Sequence, residues 1–172
     1  MSAKPINSIL FVCLGNICRS PLAEGVFRTV WAERGWGRDM LLDSAATSGW
    51  EVGSAPDPRS IAVAMRHGID ISGQRARKVT PQDFSRFDLI LGMDRSNVAD
   101  LKGLAPAAAR DRVQLFLELA HGQARDVPDP YYDGADAFAE VYRMVREASE
   151  ALATRLAARA SLPDSDQASS TM

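Results

Sequence analysis

The sequence predicts an α/β protein of one domain, with an open sheet of about four parallel strands and helices on both faces. Three observations lead to this fold class. Short apolar runs rich in β-branched residues, typical of strands buried on both faces, alternate with segments of helical periodicity. The first such run leads straight into a helix-start signal, as a βα unit requires. The 172 residues contain no internal repeat or linker, so one domain accounts for the whole length.

The first predicted strand, Ile9 to Cys13, is a short apolar run that ends in a cysteine. Ser20 and Pro21 predict the start of the first helix, with the serine as the cap and the proline at the first helical position. Gly35 and Gly37 are expected to end this helix. Apolar residues that recur every fourth position define its buried face: Leu22, Ala23, Val26, Phe27, Val30 and Trp31.

The central part of the chain alternates between strand and helix signals. In order, we expect a strand from Met40 to Asp43, a loop from Ala45 to Pro58, a helix from Asp57 to about His67 ended by Gly68, a helical turn at Asp83 to Phe87, a strand from Asp88 to Met93 and a short helix from Ser96 to Leu101. The segment Val113 to Leu117 fits either a fourth strand or the beginning of a helix. Three basic residues, Arg75, Arg77 and Lys78, are expected to form a solvated face.

The last predicted element is a long helix from Ala135 to about Ala160, preceded by a loop rich in proline and aromatic residues, Asp126 to Gly134. One face of this helix is apolar: Phe138, Val141, Tyr142, Val145, Ala148, Leu152 and Leu156. Residues 1–160 therefore form the expected domain. The small and polar residues 161–172 are expected to be a flexible tail.

Composition and charge exclude several classes of function. The formal net charge of −2 argues against bulk attraction to nucleic acid or to an anionic membrane surface. No apolar run approaches the ~20 residues of a transmembrane helix, and Met1 to Asn7 lacks the apolar core of a secretory signal. We therefore expect a cytoplasmic protein that neither binds nucleic acid nor inserts into a membrane.

Cysteine and histidine usage excludes a structural metal. Cys13 and Cys18 are too few for a secreted disulfide scaffold, and in a reducing compartment such a pair more often indicates chemistry. The only histidines are His67 and His121, and no second thiol pair completes a zinc site. We expect no metal and no other cofactor.

The loop between the first strand and the first helix is a candidate anion site. Its backbone N–H groups can form a concave nest, and the helix N-terminus adds positive potential. Arg19 offers a planar fork for two phosphate oxygens. Gly15 is expected to permit a backbone shape that a side chain would block, and Asn16 tolerates a left-handed conformation. The predicted phosphate-binding loop consists of Leu14, Gly15, Asn16, Ile17, Cys18 and Arg19.

Cys13 leads this loop and is the candidate nucleophile. The loop is not a nucleotide-binding P-loop, because it contains no lysine. A helix N-terminus and a guanidinium stabilise a thiolate, which can attack a bound phosphoryl group and form a phosphocysteine that water hydrolyses. The leaving oxygen needs a proton donor. Asp129 in D-P-Y-Y-D is the candidate, with Asp126 and Asp133 as local competitors.

Two motifs at opposite ends of the chain, V-C-L-G-N-I-C-R-S-P-L-A-E and D-P-Y-Y, resemble those of the low-molecular-weight protein tyrosine phosphatases. Between them D-S-A-A-T, P-D-P-R, R-H-G-I and M-D-R-S-N extend the resemblance from Ile9 to about Ala158. The resemblance implies a phosphotyrosine phosphatase in which Cys13 is the nucleophile, Arg19 binds the phosphate, and Asp129 is the general acid and then the base.

The resemblance also implies a set of supporting residues. Ser20 would donate a hydrogen bond to the cysteine sulfur, and Asn16, Ser44 and His67 would form a hydrogen-bonded support for the loop. From the residues alone His67 fits a helix-end cap as well. One departure from the family pattern is Ala46, where glycine is common, and the turn after the second strand is the place where it would matter.

The substrate groove implied by the resemblance is lined by Leu14, Trp50, Tyr131 and Tyr132. Trp50 and the two tyrosines lie in loops beside glycine and proline, which favours an exposed wall over a core position. Ile17 is the apolar loop residue of tyrosine-directed members, whereas relatives that act on phosphoarginine carry threonine there. Trp50 likewise favours a phosphotyrosine substrate.

Cys18 resembles the family's second loop cysteine, which can pair reversibly with Cys13 under oxidant. A small packing residue is the alternative interpretation of this position. The expected partners are phosphotyrosine-containing proteins, with a bacterial tyrosine kinase as one candidate, and a phosphate or similar oxyanion in the loop. The chain is expected to be a monomer.

Two rival functions use similar residues. An arsenate reductase of the same fold passes its disulfide to a downstream cysteine pair, and no cysteine follows Cys18 in this sequence. A non-catalytic phosphate-binding or redox-sensing module would not need Cys13, Arg19 and Asp129 together. The phosphatase hypothesis therefore accounts for more of the sequence than either rival.

Overall fold

A four-stranded parallel sheet is the frame of the molecule. The computed structural model describes residues 4–34 and 39–159. Its strands are β1 (Ser8–Cys13), β2 (Leu41–Ala46), β3 (Leu89–Gly92) and β4 (Val113–Leu115), in the spatial order β2-β1-β3-β4 with every pair parallel. This architecture confirms the predicted fold class. Because β1 lies between β2 and β3, its carboxyl end opens at the centre of one sheet edge.

Six α-helices and one 3₁₀ helix surround the sheet in the described part of the chain. Their bounds are α1 (Arg19–Glu33), α2 (Pro58–Met65), α3 (Asp83–Arg86), α4 (Arg95–Leu104), the 3₁₀ helix (Ala107–Arg112), α5 (Phe116–His121) and α6 (Ala135–Arg159). The Asp57 side chain caps α2 by accepting from the Arg59 N–H, and Gly68 takes a left-handed φ of 75° just after it.

Two hydrophobic clusters cover the two faces of the sheet, because side chains of a strand alternate between faces. Ile9 and Phe11 of β1 pack into the larger cluster with α1, α2, α5 and α6. Leu10 and Val12 pack into the smaller cluster on the opposite face. Helices therefore lie on both faces, as predicted, and the buried stripe of α6 contains the expected apolar residues.

The first helix begins two residues earlier than its cap signal predicts. α1 starts at Arg19, its N-cap residue is Cys18, and no side chain caps it. The predictions that Ser20 is the cap and Pro21 the first helical residue are therefore wrong. The Ser20 hydroxyl lies instead against the Cys13 sulfur, so it is not used to satisfy helix N–H groups. The predicted end at Gly35 and Gly37 lies outside the described residues.

Two further boundaries differ from the sequence prediction. β2 continues to Ala46, beyond the predicted Asp43, because Ala46 pairs with the end of β1 and its N–H donates to the Arg77 carbonyl at 2.8 Å. The ambiguous segment from Val113 contains both elements, since β4 ends at Leu115 and α5 begins in the next residue. The predicted tail, residues 161–172, lies outside the described part of the chain.

None of the helices in the described residues is both long enough and apolar enough to cross a membrane.

Candidate active site

The Cys13 sulfur sits at the carboxyl end of β1, where the chain turns through the loop into α1. The residue is 2% exposed. The Asn16 backbone N–H donates to this sulfur at 3.3 Å, and the Ser20 hydroxyl lies 3.1 Å from it. Asn16 has a positive φ of 59°, the left-handed conformation that asparagine tolerates. This conformation accompanies the approach of the Asn16 N–H to the sulfur.

Asn16 is the centre of a buried hydrogen-bond network behind the loop. Its side-chain amide donates to the Ser20 hydroxyl at 2.8 Å and to the Ser44 hydroxyl at 2.9 Å. Its carbonyl oxygen accepts from the Arg77 backbone N–H at 3.1 Å. The network joins the loop to α1, to β2 and to the Arg77 segment, so the loop shape is fixed from three sides.

Gly15 does not have the conformation that the sequence suggested. Its backbone is not left-handed, and a Cβ added there would make only ordinary contacts, 3.6 Å from Glu51 and 3.8 Å from Ile17. The prediction that a side chain would be blocked at Gly15 is wrong. The unusual backbone of the loop is at Asn16, where a polar side chain locks it in place.

His67 is not part of the support for the loop. Its ring is exposed after α2 and stacks on Tyr142 of α6, with ring centroids 3.9 Å apart and 7° between planes. The structure thus contradicts the predicted trio of Asn16, Ser44 and His67. Gln74 completes the network instead: it accepts from the Ser44 hydroxyl at 3.3 Å and donates to the Pro21 carbonyl at 2.9 Å.

Arg19 is buried at the floor of the site, with 2% of its surface exposed. Its Nη1 donates to Asp94 at 2.7 Å and to the Val127 carbonyl at 3.0 Å, and its Nη2 lies 3.7 Å from Asp129. Burial lowers the pKa of the guanidinium, but Cys13 and Asp94 outweigh burial and raise it. The side chain is therefore a fixed cation, with its orientation set by Asp94.

Asp94 is a site residue to which the sequence assigned no role, although it stands in the quoted motif M-D-R-S-N. It follows β3 and caps α4 in a capping box with Asn97. One carboxylate oxygen accepts from the Asn97 backbone and the other from Arg19. The helix cap therefore also holds the arginine.

Asp129 faces the cavity, and its two local competitors do not. One Asp129 oxygen accepts from the Tyr131 N–H at 3.1 Å, and the other lies toward Arg19. Asp126 pairs with Arg95 at 3.1 Å, which holds the pKa of Asp126 below its ordinary value. Asp133 is exposed and is not among the cavity-lining residues. The structure thus brings Asp129, and neither competitor, beside Arg19.

A cavity of about 190 Å³ opens above the loop. Trp50, at 81% exposure, and the two tyrosines are the aromatic part of its lining, with the tyrosine rings edge to face at 4.9 Å. The sequence did not single out Glu51, which also reaches the cavity. The lining residues are Cys13, Leu14, Gly15, Ile17, Cys18, Arg19, Trp50, Glu51, Asp129, Tyr131 and Tyr132. The candidate nucleophile, cation and acid therefore share one aromatic-walled cleft.

Cys18 is a buried free thiol, 5% exposed, at the N-terminus of α1. Burial, and then the charge of Asp57, raises its pKa to about 12. At neutral pH the Cys18 thiol is therefore protonated.

The basic segment before α3 is only partly solvated. Arg75 and Lys78 are exposed, as expected. Arg77 instead forms ion pairs with Asp43 at 3.0 Å and with the buried Asp83 at 2.9 Å. The prediction of a solvated face is therefore wrong for Arg77, which ties the segment to β2 and α3.

Comparisons with known proteins agree over most of the chain. A family model described as "Low molecular weight phosphotyrosine protein phosphatase" matches residues 8–162. The low molecular weight phosphotyrosine protein phosphatase of Schizosaccharomyces pombe is 45% identical over 136 residues, which are 78% of this chain and 86% of that protein. The low molecular weight protein-tyrosine-phosphatase YfkJ of Bacillus subtilis is 39% identical over 146 residues, 84% of this chain and 92% of that protein. A solved structure, a protein tyrosine phosphatase from Entamoeba histolytica with Hepes in the active site, is similar with a TM-score of 0.82 and 33% identity, covering 87% of this chain and 96% of that chain.

Proposed function

The chain belongs to the low molecular weight phosphotyrosine protein phosphatase family, and from this membership we propose that it hydrolyses phosphotyrosine monoesters in proteins. The observation that carries the proposal is the shared cavity of Cys13, Arg19 and Asp129. These residues supply a thiol, a fixed cation and a carboxyl group around one space. That set of groups is what phosphoryl transfer through a cysteine requires.

Substrate binding rests on the loop and Arg19. The first N–H groups of α1 have no partner inside the helix, so they and the loop N–H groups can bind phosphoryl oxygens. Arg19 is fixed by Asp94 and Val127 through Nη1, which leaves Nη2 on the side of Asp129 and the cavity. Phosphate in this position has its phosphorus above the Cys13 sulfur.

In the first chemical step the Cys13 thiolate attacks phosphorus. The S–P bond forms while the bond from phosphorus to the phenolic oxygen breaks, and Asp129 gives its proton to that oxygen. Tyrosine then leaves as the neutral phenol. Asp129 is 42% exposed in its side chain, so it can exchange protons with solvent between steps.

In the second step water attacks the phosphocysteine. The Asp129 carboxylate accepts a proton from this water, an O–P bond forms, and the S–P bond breaks to return the thiolate. The Ser20 hydroxyl and the Asn16 N–H lie against the sulfur and stabilise its negative charge as it departs.

The wall of the cavity sets the substrate class. Leu14, Trp50, Tyr131 and Tyr132 form a slot with room for an aromatic ring between the loop and solvent. We therefore expect phosphoserine, whose side chain is shorter and not aromatic, to be a much poorer substrate than phosphotyrosine. Ile17 adds an apolar surface at the loop itself.

The proposed cellular location, partners and response to oxidant follow from the chemistry of the thiol. A thiol nucleophile must stay reduced, so we place the protein in the cytoplasm, as a monomer that acts on phosphotyrosine proteins, including a bacterial tyrosine kinase. Under oxidant, Cys18 would form a disulfide with Cys13 and protect it from further oxidation. Peroxide inactivation that thiol reductant reverses in wild type, but not in Cys18→Ser, would support this role.

The test is turnover of a phosphotyrosine peptide beside phosphoserine and phosphoarginine peptides, without added metal, for wild type and Cys13→Ser. We expect wild type to hydrolyse phosphotyrosine and Cys13→Ser to be inactive. Preference for phosphoarginine would contradict the assignment of the slot. No turnover of any peptide by a folded wild type would contradict the phosphatase assignment itself.

A further inference from the structure

Arg59, in the first turn of α2, joins two segments that border the cavity. Its Nε and Nη2 donate to the two carboxylate oxygens of Asp57 at 3.0 and 2.9 Å. The same guanidinium donates to the Tyr131 carbonyl at 2.9 Å and to the Asp133 carbonyl at 3.0 Å. It lies over the Phe138 ring, 4.4 Å from the ring centroid. One side chain thus bridges the start of α2 and the turn that carries the candidate acid.

The α2 side of this bridge is fastened to the phosphate-binding loop. The Asp57 N–H donates to the Ile17 carbonyl at 2.8 Å, and the Ser60 hydroxyl donates to the Cys18 carbonyl at 3.3 Å. The Asp57 side chain is 8% exposed, and hydrogen bonds from Arg59 lower its pKa, so it stays a carboxylate. The start of α2 is therefore a fixed support beside the loop.

The other side of the bridge is an exposed turn with mostly local bonds. Asp129 accepts from the Tyr131 N–H at 3.1 Å, and the Asp133 N–H donates to the Pro130 carbonyl at 2.9 Å. These bonds shape the turn but do not hold it against the loop. Val127 anchors the entrance of the turn through Met93. After Val127, Arg59 of α2 donates hydrogen bonds to this turn from a separate element.

Building on the proposed function, we propose that Arg59 is a positioning residue for Asp129. Arg59 holds the Tyr131 carbonyl, and the N–H of that same residue holds one oxygen of Asp129. The other Asp129 oxygen is then kept toward Arg19 and the leaving group. Arg59 lies outside the cavity lining, so it acts on proton donation and not on phosphate binding.

The planar fork of arginine is what this position needs. Asp57 and the two carbonyls accept in three directions, and the guanidinium reaches all of them from one plane. A lysine keeps the charge but presents a compact ammonium that cannot span the same acceptors. Arg59→Lys should therefore keep the fold and lose most of the positioning.

The test compares two esters that need the acid to different degrees. A phosphotyrosine peptide has a basic leaving oxygen, whereas an aryl phosphate with electron-withdrawing substituents leaves readily without protonation. Arg59→Gln and Arg59→Lys should lower kcat/KM for the peptide by about 10–100-fold and for the activated ester by much less. Inhibition by inorganic phosphate should change by less than about twofold, since phosphate binding does not involve Asp129 positioning.

A double-mutant cycle and a matched control complete the test. In an Asp129→Asn background, Arg59→Gln should have no further effect on the peptide, because the group it positions is already lost. Arg66→Gln, at the exposed end of the same helix, removes the same charge and should leave both esters at the wild-type rate. Melting curves establish whether each variant is folded. If Arg59→Gln does not fold, Arg59→Lys takes its place in the comparison.

Two results would overturn the positioning role alone. One is an equal loss for both esters in Arg59→Gln and Arg59→Lys, and the other is a further loss in the Asp129→Asn background. Either result would mean that Arg59 affects activity through the shape of the phosphate-binding loop or through the stability of the fold. A folded wild type that hydrolyses neither ester would instead overturn the proposed function, and this role with it.

Discussion

The Ser20 hydroxyl lies 3.1 Å from the Cys13 sulfur, at the junction of the first strand and the first helix. Asn16 donates to the same hydroxyl oxygen at 2.8 Å. Because that oxygen already accepts from Asn16, its own hydrogen is available to the sulfur, which is much closer than the Ala45 carbonyl at 3.5 Å. In the proposed mechanism the Cys13 sulfur is a thiolate, which can only accept, so this serine is then the hydrogen-bond donor.

This geometry predicts that Ser20→Ala slows release of the phosphoryl group from Cys13. A hydrogen bond to a charged group contributes about 1.5–3 kcal/mol, which corresponds to roughly 10–100-fold in kcat. Rapid-quench kinetics should show the phosphoenzyme accumulating in the variant. Ser20→Thr keeps the hydroxyl and is the control. An unchanged kcat in Ser20→Ala would mean that the hydroxyl does not stabilise the departing sulfur.

The buried Cys18 thiol is predicted to resist alkylation in the folded protein. Its pKa of about 12 keeps it protonated at pH 6–9, and the thiolate is the reactive form. Iodoacetamide followed by peptide mass mapping should find label on Cys13 and none on Cys18. The same experiment in denaturant should label both. Label on Cys18 of the folded protein at pH 7, at a rate matching Cys13, would contradict this prediction.

Asp83 makes a pH-dependent contribution to stability. Burial raises the pKa of its carboxyl, but hydrogen bonds from Arg77 and the Thr80 backbone outweigh burial and hold the pKa below its ordinary value. A carboxyl with a depressed pKa in the folded state stabilises above its unfolded pKa, about 3.9, and loses that effect as pH falls through the folded pKa. Asp83→Asn should therefore lower the free energy of unfolding by about 2–3 kcal/mol at pH 7.

The check is denaturant unfolding of wild type and Asp83→Asn between pH 7 and pH 3. The difference in free energy of unfolding should be constant down to about pH 4 and then narrow. Asp111→Asn, at an exposed position, is the matched control. A difference that widened toward acid would mean that the Asp83 carboxyl is favoured in its neutral form.

Ser149 on α6 is completely buried, and within the described residues its hydroxyl has no hydrogen-bond partner. An unsatisfied buried hydroxyl opposes folding, so Ser149→Ala should be neutral or stabilising by up to about 1–2 kcal/mol. Ala153→Ser, the reverse change one turn later at an equally buried position, should destabilise. Thermal melting of both variants checks the prediction. A loss of stability in Ser149→Ala above 1 kcal/mol would contradict it.

Most of the sheet could be predicted because each strand is a compact apolar run between clear helix signals. The boundaries that differed depend on partners distant in sequence. β2 reaches Ala46 because β1 and the Arg77 segment supply acceptors and donors there. α1 begins at Arg19, and the Ser20 hydroxyl contacts the Cys13 sulfur instead of capping the helix. Neither contact is visible in local residue preferences.

The residues of the candidate site also divide into those that local sequence predicts and those that depend on contacts distant in sequence. Cys13, Arg19 and Asp129 were identified from motifs that combine residue type with a strand–loop–helix junction or an aromatic loop. Gln74 and Asp94 act through hydrogen bonds to residues far away in the chain, and the local sequence does not reveal those partners. His67 stood in a motif of the right order, but α2 directs it onto Tyr142.

The covalent intermediate is the central claim of the mechanism. The most direct measurement is mass mapping of protein quenched during the first turnover of a phosphotyrosine peptide, for wild type and for Ser20→Ala, in which release of the phosphoryl group from Cys13 is predicted to be slow. We predict one phosphoryl group, carried by the Cys13 sulfur and absent from Cys13→Ser. A phosphoryl group on another residue, or complete first-turnover release of phosphate with none on the protein, would contradict the mechanism.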